Sequence, residues 1–107
     1  QQAMRKMYPD IPIFIGTVEG FPSLADVVRG LTHVGVKKMV LKPFMIVAGD
    51  HANNDMAGND SDSWKMVIKS KGIKVITVIH GLGENNDIAN IFVQHIRDVA
   101  KDNNIEL

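Results

Sequence analysis

Glu19 and His51 of this 107-residue chain follow two different strands at the same edge, a placement that would let them share a ligand. A carboxylate with an imidazole suits a borderline divalent ion such as Co, Ni, Fe or Zn, whereas hard ions prefer an all-oxygen shell. The chain has no cysteine. That excludes disulfides, thiolate metal sites and a cysteine nucleophile, and leaves His, Asp, Glu and backbone as donors. Two ligands are too few for a stable site, so at least one more must come from elsewhere in the protein or from another subunit. Asp50, between Gly49 and His51, reads equally as an acceptor that orients the imidazole or as a cap for the next turn.

Other polar groups carry less. Asp55, Asn59, Asp60 and Asp62 fail the spacing of a calcium-binding EF-hand loop and read as turn and cap residues. His80 closes a strand at the ligand-binding edge and could approach a substrate. His95 falls on an apolar helical stripe and reads as a packed core histidine, and His33 lies at the far end of the sheet. Gly81-x-Gly83 lacks the third glycine and the context of a dinucleotide loop, so no nucleotide is expected.

The elements that must position these residues alternate. Ile11 to Val18 is nearly continuous in apolar β-formers, the pattern of a buried parallel strand. Ser23 and Asp26 make a capping box for a helix that carries Leu24, Val27, Val28 and Leu31 to about Thr32. A second strand starts near Lys38 and must end or bulge at Pro43, which cannot donate to a ladder. Gly49 to Asp62 is the longest loop candidate. Ser61 to Ser63 caps a short helix bearing Trp64, Val67 and Ile68, which Gly72 ends, and Ile73 to Ile79 is a third strand. Asn85 or Asn86 caps a last helix with Ile88, Ile91, Phe92, His95, Ile96 and Val99 on one stripe. The order β-α-β-α-β-α implies an α/β fold: three layers, with an open parallel sheet and helices on both faces, in one domain spanning residues 1–107. Ligands of such sheets bind outside the carboxyl ends of the strands, where Glu19, Asp50, His51 and His80 all fall.

Twelve basic side chains balance twelve acidic ones, so there is no positive field to gather nucleic acid or an anionic membrane. No apolar run reaches the roughly 18 to 20 residues of a membrane span. Arg5, Lys6 and Asp10 do not fit a signal peptide, and a cytoplasmic location is expected, or a periplasmic one if a signal preceded Gln1.

Three blocks resemble the signatures of the anaerobic sirohydrochlorin cobaltochelatases, the CbiK type of class II chelatase. They are Gly16-Thr17-Val18-Glu19-Gly20, the long run from Met45 through Ala48-Gly49-Asp50-His51-Ala52-Asn53-Asn54 to Gly58, and Gly81-Leu82-Gly83-Glu84-Asn85. The resemblance covers about Ile11 to the end and identifies the chain as the carboxy-terminal half of a two-lobed chelatase. It implies insertion of Co²⁺ into sirohydrochlorin, with His51 as catalytic and metal-binding histidine and Glu19 as its acidic partner. Co²⁺ is then the substrate metal, with Fe²⁺ and Ni²⁺ as chemical alternatives, and no nucleotide is implied. The family also uses a histidine of the first half, and no histidine precedes Ile11 here. A missing amino-terminal half or a second subunit is therefore the expected partner, the latter as a homo-oligomer, in a small homodimeric chelatase. A non-catalytic tetrapyrrole or metal carrier is the other alternative. Phe44, Met45 and Val47 lead into the His51 loop and are positioned to form part of the wall against the macrocycle.

Overall fold

A computed structural model describes all 107 residues. The elements in chain order are helix α1 (Gln2–Met7), α2 (Leu24–Val34), strand β1 (Lys38–Leu41), a π-helix (His51–Met56), α3 (Trp64–Lys69), β2 (Lys74–Thr77), a 3-10 turn (Leu82–Glu84) and α4 (Asn86–Asp102). The two strands pair in parallel, with Val40 opposite Ile76 and Lys38 opposite Lys74. The α/β class and the open parallel sheet stand.

The cause of each element is local and specific. At the start of α2 the Ser23 hydroxyl accepts from the Asp26 amide while the Asp26 carboxylate accepts from the Ser23 amide, so two orphan donors are satisfied. Gly35 ends the helix in the left-handed region at φ 77°. Ser63 caps α3 through the Met66 amide, and Asn85 caps α4 through the Asp87 amide. β1 stops at Leu41, and Pro43 beyond it is buried.

Strand residues alternate between two faces. Met39 and Val75 pack against a core of Val27, Val28 and Leu31 from α2 with Ile68 of α3 and Ile73. A second cluster of Leu41, Ala52 and Met56 joins that face to the π-helix, with Met45, Trp64 and Ile79 around it. The opposite face carries Lys38, Val40, Lys74 and Ile76, all exposed.

Three expectations need correction. Ile11 to Val18 joins no ladder, which leaves two strands instead of three. Its backbone groups find other partners: the Ile13 carbonyl accepts from Arg5 Nε, the Ile15 amide donates to Gln1 Oε1, and the Thr17 amide donates to the Pro22 carbonyl. Phe14 still packs on the core beside Gly30. Secondly, the segment taken as the longest loop contains the π-helix, in which Asn53 Nδ2 donates to the carbonyls of Ala48 and Gly49. Thirdly, α4 does not cover the sheet. It packs mainly on the 3-10 turn, so His95, Phe92, Ile96 and Val99 are exposed. The radius of gyration, 17.4 Å, records this projection; a compact chain of this length would have about 13 Å.

Candidate functional site

His51 opens the π-helix directly after Asp50, at the carboxyl-terminal side of β1. Two buried residues, Ala52 and Met56, fix that helix to the sheet and leave His51 facing solvent, its side chain 72% exposed. One turn on, the Asp55 carboxylate lies 2.6 Å from His51 Nδ1. With Nδ1–H donated to Asp55, Nε2 is left to meet a ligand, the usual arrangement of a metal-binding imidazole and its carboxylate. The Asp55 bond raises the His51 pKa above its ordinary value, and the charges of Asp55, Asp50 and Glu19 push the same way. The carboxylate favours the protonated ring. It also makes Nε2 of the neutral ring a stronger donor to a metal.

Glu19 sits in the exposed turn that ends at Gly20, where φ is 121° and only glycine is at ease. Its charge raises the His51 pKa, behind those of Asp55 and Asp50. Asp50 is exposed at the head of the π-helix and makes no capping bond; it acts on His51 through its charge alone. The residue that holds the ring is Asp55, which reading it as turn duty missed. The signal was present as a His and an Asp four apart, but it has meaning only once the segment is known to be helical. The structure shows no group of three or more His, Asp or Glu side chains placed to hold a metal ion.

The segment leading to His51 divides its roles. Phe44 and Val47 are exposed, 69% and 74%, and can form a wall, as can Ile46, which the sequence reading passed over. Met45 instead packs toward Leu41, Ala52 and Met56 and is half-buried. The loop after β2 clamps this segment. Leu82 and Gly83 amides donate to the Met45 and Ile46 carbonyls at 2.7 and 2.9 Å. Gly81 is buried so close that a Cβ would overlap the Ile46 carbonyl oxygen. His80, at the same edge, lies 3.3 Å through Nδ1 from Glu84, whose carboxylate also accepts from the Gly81 amide. His33 is exposed in the last turn of α2.

A family model described as Cobalt chelatase (CbiK) matches residues 1–101. A sirohydrochlorin cobaltochelatase of Salmonella typhimurium is 45% identical over 85 residues, which are 79% of this chain and 32% of that protein. The sirohydrochlorin cobaltochelatase CbiKC of Nitratidesulfovibrio vulgaris is 36% identical over 87 residues, 81% of this chain and 31% of the relative. The chain thus spans about a third of the length of the curated relatives it matches. On its sequence match over residues 1–101, the chain belongs to the cobalt chelatase (CbiK) family.

Proposed function

We propose that this chain is the metal-holding part of a sirohydrochlorin cobaltochelatase, in which His51 and Glu19 hold Co²⁺ on one face of the macrocycle. The observation that carries this reading is the Asp55-held His51 ring within reach of the Glu19 charge. Metallation removes two pyrrole protons while the ion sheds ligands, so a chelatase needs a metal post and a base close together. A neutral imidazole serves either purpose near pH 7. Phe44, Ile46 and Val47 offer apolar surface to the ring, and the third donor comes from an amino-terminal half or a second subunit. Fe²⁺ and Ni²⁺ suit the same donors, so the choice of Co²⁺ rests on the family.

The test is a spectral metallation assay with sirohydrochlorin and Co²⁺, run on this chain alone and together with a CbiK-type amino-terminal half. Turnover that rises on adding the half and vanishes with His51→Ala supports the proposal. Tetrapyrrole binding without turnover under both conditions would instead favour a carrier.

A further inference from the structure

Metallation needs a group that holds the ion and a group that takes the pyrrole protons, and His51 cannot be both at once. Its Nδ1 is engaged by Asp55 at 2.6 Å, which leaves one nitrogen. A lone pair given to Co²⁺ is not there for a proton. A second acceptor is needed close by.

An imidazole of the same build stands at the same edge of the sheet. β1 and β2 are parallel neighbours, with Leu41 opposite Thr77 at their carboxyl ends. Beyond β1 the chain reaches His51, met at Nδ1 by an acid four residues on. Beyond β2 it reaches His80, whose Nδ1 lies 3.3 Å from Glu84, again four residues on. Glu84 is itself fixed, because its carboxylate accepts from the Gly81 amide at 2.9 Å. With Nδ1–H directed to that carboxylate, His80 Nε2 keeps a free lone pair.

The two loops are fastened together. Leu82 and Gly83 donate to the Met45 and Ile46 carbonyls, and a Cβ on Gly81, the residue after His80, would stand 3.0 Å from the Ala48 nitrogen. From Ala48 to His51 is three residues, at most about 11 Å of chain. Phe44, Ile46 and Val47 belong to the strip that the His80 loop grips, so a macrocycle resting on that strip lies beside both loops.

We propose that His80, oriented by Glu84, is the proton acceptor of metallation, with His51 left to the metal; the inference rests on the chelatase reading of the site. A pyrrole N–H bond breaks, the electron pair left on nitrogen forms the bond to Co²⁺, and the proton passes to His80 Nε2. The His80 side chain is 67% exposed, so the imidazolium hands its proton to water and is ready for the second. Two protons leave as one dication enters.

The test is the sirohydrochlorin metallation assay with this chain and its amino-terminal half, comparing the parent with His51→Ala, His80→Gln and Glu84→Gln. The side chains of His80 and Glu84 are both about two-thirds exposed, so their variants keep the fold. His80→Gln should lower kcat by about a hundredfold, the lower end of what a positioned base contributes. The KM for the tetrapyrrole and the affinity for cobalt should stay within about twofold, since the lost interaction acts only during proton transfer. Glu84→Gln keeps an acceptor for the Gly81 amide but loses the charge, and should give a smaller fall in kcat alone. An unchanged kcat in both variants would overturn the proposal, as would a loss carried by KM or by cobalt affinity, which would make His80 a binding group. Full turnover by His51→Ala, or none by the parent, would instead overturn the chelatase reading and this inference with it.

Discussion

Gly81→Ala should disturb the site without touching Glu19 or His51, the proposed metal ligands. At Gly81 φ is −73°, which alanine adopts freely, so the whole cost is spatial. The new methyl would overlap the Ile46 carbonyl oxygen and stand 3.0 Å from the Ala48 nitrogen, and neither backbone atom can swing aside as a side chain would. Relieving that overlap pushes the two loops apart at the point where the Leu82 and Gly83 bonds join them. Overpacking costs about 1–3 kcal/mol, and weakening one or two bonds adds roughly 0.5–1.5 kcal/mol each. A total of about 2–4 kcal/mol corresponds to a fall in thermal midpoint of roughly 10–25 °C for a domain of this size. Cobalt affinity should fall too, because Ile46 to Ala48 lead directly to His51. Gly49→Ala, with nothing within 4 Å of the added methyl, is the control and should stay within about 0.5 kcal/mol. Calorimetry and cobalt titration of both variants are the assays. A Gly81→Ala midpoint within two or three degrees of the parent, about the scatter of a surface substitution, would refute the claim that this contact sets the loop.

Further outcomes follow from the same geometry. His51→Ala, in a chain supplied with its other half, should abolish or strongly depress cobalt insertion while the thermal midpoint stays put, since the ring is exposed. Asp55→Asn should lower the His51 pKa, its largest source of elevation being removed. The ring then sheds its proton at lower pH, and the onset of cobalt binding, followed spectrally against pH, should move down; an upward move would contradict the assignment. Because the folded-state pKa is raised, the pair stabilises the fold below the unfolded value near 6.5 and loses that effect as pH rises through the folded value. Any stability loss in Asp55→Asn should therefore appear at pH 5 and be absent at pH 9. Ile68→Ala, at a fully buried position between α2 and α3, should cost about 2–5 kcal/mol in denaturant unfolding. His95→Ala should leave the monomer's stability unchanged, against the expectation of a packed core ring.

What could be read in the sequence is what local chemistry determines. The Ser23–Asp26 box, the Ser63 and Asn85 caps and the stop at Pro43 each depend on residues within a few positions of one another, and all of them formed. Ile11 to Val18 has a strand's composition, but a ladder needs a neighbouring edge, and here Gln1, Arg5 and Pro22 take its backbone groups instead. Likewise the periodicity of α4 fixed the existence of an apolar stripe and could not say what covers it. For the site, residue types and loop positions pointed to Glu19 and His51, and their functional roles rest on the family resemblance. Asp55 was hidden because its pairing with His51 depends on a helical turn that the run of Asn, Asp and Gly does not advertise.

The π-helix beneath His51 makes the length of its segment matter as much as its composition. Its turns are wider than α turns by about one residue, yet Ala52 and Met56 anchor it at two buried points. Losing one residue between those anchors would allow an ordinary α turn, and in such a turn each residue is offset by about 100°. Keeping Met56 seated would then turn Ala52 and the adjoining His51 relative to the sheet. With His51 in its proposed role, a single-codon deletion between Ala52 and Met56 should lower cobalt binding more than it lowers the thermal midpoint.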